Sequence, residues 1–160
     1  MRPFTTFNFN VRIMLGDSAT DPLCEAGFAE CAGLEMSTAV KTIREGGNNN
    51  QPVHLPGPVT YAQLSLKRGM TSSFDLWDWF DRVQLDDQRH LRADCEVDMM
   101  AADRSGPVAT FALFRCLPVK IKAPSLIAKD GAVAIEELEI AYELLSLRKP
   151  PPPPGGGSGA

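Results

Sequence analysis

The sequence predicts a mainly β domain: two packed antiparallel sheets forming a barrel or sandwich, with one flanking α-helix over about residues 73–84. Two observations carry the prediction. Apolar and polar residues alternate with a period of two in segment after segment, and a single stretch has a helical apolar stripe. Clusters of Gly, Pro, Asn and Asp separate these segments.

In the first strand, Phe7, Phe9, Val11 and Ile13 alternate with Asn8, Asn10 and Arg12. A turn-rich stretch follows from Gly16 to Pro22. Residues 28–35 and 37–44 look extended, and Gly33 between them marks a possible bulge. Ala62, Leu64 and Leu66 alternate with Gln63, Ser65 and Lys67, and Gly69 ends that strand. Leu76, Trp79, Phe80 and Val83 form the helical stripe, with Ser72 or Ser73 as cap and Asp75 suiting the helix dipole. Trp77 and Trp79 read as core, with an aromatic ligand shelf as the lesser alternative. Ala93, Cys95, Val97 and Met99 make another strand, and residues 109–117 the next, ending at Pro118. In the last, Leu138, Ile140, Tyr142 and Leu144 alternate with Glu137, Glu139, Ala141 and Glu143. Val133 and Ile135 have the opposite parity, which predicts a bulge near Glu136.

Between Glu45 and Gly69 the chain reads differently. Glu45-Gly46-Gly47-Asn48-Asn49-Asn50 and Leu55-Pro56-Gly57 are turn-forming clusters, and about fifteen residues carry no strand or helix pattern. So long a loop in a compact domain is usually functional.

The chain of 160 residues carries a formal net charge of -4, with 44% hydrophobic residues. This suits one globular domain, residues 1–147, followed by a flexible Pro/Gly-rich tail, residues 148–160. For the tail, a functional spacer, a solvated extension and a cloning remnant at the very end all remain open. The charge is too mild to predict nucleic-acid or membrane attraction, and no apolar run reaches about eighteen residues, so neither a membrane anchor nor sequence-specific nucleic-acid binding is expected. The first residues lack the apolar stretch of a secretory signal, which predicts folding in the cytoplasm and leaves export by a dedicated machine open. Cys24, Cys31, Cys95 and Cys116 form no CxxC pair and lie far in sequence from His54 and His90, so free thiols are expected and no metal site.

Catalytic motifs are missing: there is no GxSxG, P-loop, GxGxxG or HExxH. The Gly46–Asn50 cluster lacks the helix and lysine of a phosphate cradle. Alternation sets Asp94, Glu96 and Asp98, and likewise Glu137, Glu139 and Glu143, on solvent-facing sides of strands without needing chemistry. The expectation is a protein that is not an enzyme and needs no cofactor.

Gly33-Leu34-Glu35, Glu45-Gly46-Gly47-Asn48, Leu55-Pro56-Gly57, Leu66-Lys67-Arg68-Gly69, Leu76-Trp77, Leu117-Pro118-Val119-Lys120 and the closing strand from Ala134 to Glu143 occur in this order. The ordered set resembles the phage tail-tube protein family, which also supplies inner tubes of contractile injection systems, over about residues 5–147. Phe111 and Leu117 stand where that family tends to carry a bulkier aromatic before Pro118, and the tail extends past its usual end.

The resemblance implies a hexameric ring, rings stacked into a hollow tube, and a sheath around it. It implies a baseplate or tube initiator at one end, a cap or terminator at the other and cargo in the lumen, with the chain in a phage tail or phage tail-like particle. Glu45, Gly46, Gly47, Asn48, Pro56, Gly57, Lys67 and Arg68 become candidates for subunit contacts, and Glu137 and Glu139 candidates for an acidic lumen lining. A tube initiator or baseplate adaptor ring, and a hexameric effector carrier that never stacks, are the alternatives.

Overall fold

The computed structural model describes residues 8–16, 22–44, 46–47, 51–103, 105–128 and 131–150. Phe7, Glu45, Asn48 and most of the Pro/Gly tail lie outside them. The strands are β1 (Phe9–Leu15), β2 (Cys24–Ala26), β3 (Glu30–Ala32), β4 (Met36–Ile43), β5 (Val53–Tyr61), β6 (Leu64–Gly69), β7 (Ala93–Met100), β8 (Pro107–Lys122), β9 (Ile135–Ala141) and β10 (Leu144–Arg148). One helix, α1 (Asp75–Gln84), follows β6.

Two sheets share a corner. The first runs β2-β1-β7-β8-β10, the second β8-β9-β6-β3, and every pairing is antiparallel. The corner is a ribbon. The front of β8 pairs with β10 (Phe114 opposite Leu144), and its back pairs with β9 (Leu117 opposite Ala141). Both strands bend together between those positions, where Arg115 takes a left-handed φ of 55°. Its amide donates to the Asp94 carboxylate at 3.3 Å and its Nε to Glu143 at 2.7 Å. The sheets stay open rather than closing into a barrel.

Alternation predicts which side chains enter the core. Val11, Ile13, Leu64, Leu66, Leu113, Leu138 and Ile140 are buried between the sheets. Leu76, Trp79 and Val83 of α1 pack into the same cluster, so the tryptophan stripe is core. Each such aliphatic side chain contributes about 1.5–3 kcal/mol through burial.

Four expectations need correcting. The helix begins at Asp75, not residue 73, and neither serine caps it: Asp75 itself accepts the Leu76 amide at 2.9 Å. Pro118 does not end a strand. It lies buried within β8 beside a register shift, where an interrupted ladder tolerates a missing N–H. No bulge occurs at Glu136. β9 pairs with β6 in unbroken register, and Glu136 occupies the inward position next to Leu138 and Ile140. Finally, the supposed loop after residue 45 contains β5, paired with β4 over most of its length. Prolines 56 and 58 with Gly57 obscure its alternation of Val53, Leu55, Val59 and Tyr61.

Candidate assembly surfaces

β4 and β5 form a separate two-stranded sheet that projects as an arm. All residues of β4 are exposed, and so are all of β5 except Gly57 and Tyr61. Eight residues at about 3.3 Å each give it a reach of roughly 26 Å. Opposed residues in an antiparallel pair share a face. One face therefore carries Met36, Val40, Val59 and Tyr61, the other Ile43, Val53 and Leu55. Both faces are apolar, and Val40 and Met36 are 61% and 60% exposed. An isolated hairpin is marginal in water, and burying one or both of these faces would stabilise it.

Only the base of the arm is fixed to the body. Tyr61 packs on Tyr142 with ring centroids 5.5 Å apart. The Tyr142 hydroxyl donates to the Gly33 carbonyl at 3.2 Å. Gly33 holds φ +93°, and a Cβ there would stand 2.1 Å from the Gln63 carbonyl oxygen, so glycine alone lets the chain leave the body at this point. Midway along the arm, register shifts between Thr38 and Val40, opposite Pro56–Gly57. A Cβ on Gly57 would meet the Ala39 carbonyl oxygen at 2.6 Å, and the Thr38 hydroxyl donates to the Gly57 carbonyl at 2.7 Å. Pro56 and Gly57 thus shape the arm, and Gly46 and Gly47 lie in the turn at its tip. Glu45 and Asn48 fall outside the described residues.

Lys67 and Arg68 part company. Lys67 points outward and pairs with Glu30 at 3.3 Å. Arg68 is a correction: its guanidinium lies inside the protomer, because β6 alternation carries it inward after Leu64 and Leu66. Its Nε donates to Glu136 Oε1 at 2.5 Å and its Nη2 to Asp75. Trp77 Nε1 donates to the second Glu136 oxygen at 2.9 Å, and the Phe28 ring lies 5.6 Å from the guanidinium carbon. The cluster ties the start of α1 to the second sheet. Burial raises the Asp75 pKa, but the Arg68 hydrogen bond outweighs it and holds the carboxyl below its usual value. Burial also pushes the neighbouring Cys24 thiol up to about 12, so it stays protonated.

Glu137 and Glu139 do face outward, but not on an acidic surface. Across four strands the rows read Lys122, Glu137, Lys67, Glu30 and Lys120, Glu139, Ser65, Ala32. Lysines offset the carboxylates one for one. The outward face of the first sheet is the more acidic: Arg12 and Arg148 stand among Glu25, Asp94, Glu96 and Asp98, with Arg12–Glu96 at 2.6 Å and Arg148–Glu96 at 2.8 Å. Between β8 and β9, Leu126, Ile127 and Val133 are 92%, 64% and 75% exposed, beside a cleft of about 480 Å³.

Among the described residues no group of three His, Cys, Asp or Glu side chains is placed to hold a metal ion, and no helix is long and apolar enough to cross a membrane.

No curated protein matches the chain in sequence. Solved structures do. A chain of the anti-feeding prophage baseplate is 26% identical with a TM-score of 0.79, covering 93% of this chain and 97% of that one. A chain of an extracellular contractile injection system sheath-tube complex is 19% identical with a TM-score of 0.75, covering 92% of each. A chain of the anti-feeding prophage tube-terminating cap is 16% identical with a TM-score of 0.77, covering 94% and 93%. The latter two likenesses speak for the fold alone. The family model of the T4-like virus tail tube protein gp19 matches residues 5–146, so the chain belongs to that tail tube family.

Proposed function

We propose that the chain is a structural, non-enzymatic subunit of the inner tube of a contractile phage tail or contractile injection system. Six copies close into a ring, and rings stack into a hollow conduit inside a sheath, between a baseplate initiator and a cap. One observation carries this reading beyond family membership. The β4–β5 arm exposes apolar side chains on both faces and packs little against its own body, so other copies complete it. Gly46, Gly47, Pro56 and Gly57 give the arm its shape, and Lys67 remains available for a polar contact between subunits.

The bore must be wet and non-adhesive. The outward face of the first sheet, lined by Asn10, Arg12, Glu96, Asp98, Thr110 and Arg148, fits that requirement better than the face bearing Glu137 and Glu139, which adjoins exposed leucine, isoleucine and valine.

Electron microscopy of the purified full chain tests the proposal. Stacked annuli about one subunit thick per layer support it, and dispersed monomers at high concentration overturn it. A second reading, a single-ring baseplate adaptor or terminator, draws on the likeness to the baseplate and cap chains, whose TM-scores match that of the sheath-tube chain. Annuli that never stack, even with an initiating ring present, select this second reading.

A further inference from the structure

Two apolar surfaces of the protomer are left uncovered, and they are unlike each other. One is the arm. The other is the lobe beside the β8–β9 cleft, formed by Leu126, Ile127, Val133 and Ile135, with Lys122 and Glu137 at its margin. Charges at the two sites match. Lys41 and Arg44 near the distal end of the arm enter no ion pair among the described residues. Glu137 also has no ion pair there and accepts one long hydrogen bond, from the Ser65 hydroxyl at 3.4 Å. By contrast Glu139, one row away, lies 3.8 Å from Lys120.

We propose that the arm of one copy seats in the β8–β9 cleft of a second copy. Ile43 and Val53 cover Leu126, Ile127 and Val133, and Lys41 or Arg44 meets Glu137. This rests on the tube reading above and specifies its contact. The surfaces differ, so the contact is heterologous: each copy gives its arm to one neighbour and receives an arm from another, and the series closes or stacks by rotation. The reach of roughly 26 Å lets an arm leave its own body and cross to the next. Burial of both apolar surfaces supplies the driving force, and the Glu137 pair sets the register. Glu137 thereby moves from the expected bore lining to a subunit contact.

Full-length variants with single cysteines test this, in a Cys31→Ser background. Cys31 is the half-buried thiol; Cys24, Cys95 and Cys116 are buried. An Ile43→Cys variant and a Val133→Cys variant are mixed, assembled and oxidised with diamide. The expected result is a disulfide-linked dimer several-fold stronger than from a control mixture of Ile43→Cys with Ser146→Cys, on the outward face of the first sheet. In parallel, Glu137→Arg weakens assembly, and adding Arg44→Glu or Lys41→Glu restores it. Annuli or stacks with dimer only at the control level overturn the docking while leaving the tube reading intact. If Val133→Asp blocks binding of a sheath protein while stacking stays normal, the cleft belongs to the sheath and the docking is overturned. Absence of any annuli from the unmodified chain removes both.

Discussion

The body and the arm of this protomer follow opposite rules, although the same kind of strand builds both. In the body, alternate side chains vanish into a core that includes Trp79 and Ile13, each fully buried. In the arm, alternate side chains are just as apolar, yet none of the large ones is buried. The body satisfies its own polar groups, down to a buried Arg68 that meets Asp75 and Glu136. The arm leaves edges and apolar faces open. A finished body and an unfinished arm on one chain are what a repeating assembly requires: a rigid unit that does not deform and a connector that is complete only in company.

The largest effect expected is in the body. Glu136→Ala strands a buried guanidinium and costs about 3–5 kcal/mol, read as a fall in the urea unfolding midpoint. A loss under about 1 kcal/mol would mean that water reaches the cluster and the body is not as closed as it looks. Acid sharpens the same point. The Asp75 carboxyl is depressed from its usual 3.8, so its contribution is present above that pH and is lost as pH falls through the lower, folded value. Wild type therefore loses more stability than Asp75→Asn between about pH 4 and pH 2 in acid titrations followed by circular dichroism.

The arm should behave in the reverse way. Val40→Ser with Val59→Ser removes exposed apolar groups, so body stability stays within about 0.5 kcal/mol while sedimentation shows assembly failing. If the double variant assembles normally, the contrast between the two regions breaks. The smallest effect belongs to the exposed ion pair at the corner. Arg115→Lys keeps the backbone turn and disturbs a pair whose side chains are 60% and 61% exposed, so thermal unfolding should shift by no more than about 1 kcal/mol equivalent.

Much of the body is legible from sequence because a half-buried strand writes its orientation into every second residue. Val11, Ile13, Leu64, Leu66, Leu138 and Ile140 announce the core, and the Leu76–Trp79–Val83 stripe announces the helix. Arg68 and Glu136 were legible too, as charged residues on apolar parity, but only if both are allowed to be inside together; taken singly, each reads as a surface residue or a bulge. The arm is harder. Its strands obey no inside and outside, and Pro56, Gly57 and Pro58 interrupt the alternation at the register shift. The partner that would explain its apolar faces is another copy, which one sequence does not display. The same limit applies to the outward glutamates. Glu137 and Glu139 look acidic along β9, and only strand pairing brings Lys120, Lys122 and Lys67 beside them.

The shared ribbon at the corner has a mechanical consequence. β8 and its partner strand run without a break from one sheet into the other, bending once at Arg115. A push delivered to one sheet reaches the other along continuous backbone rather than through a floppy joint. A conduit built from such units would carry thrust from wall to wall like a folded plate, with its stiffness residing in a crease.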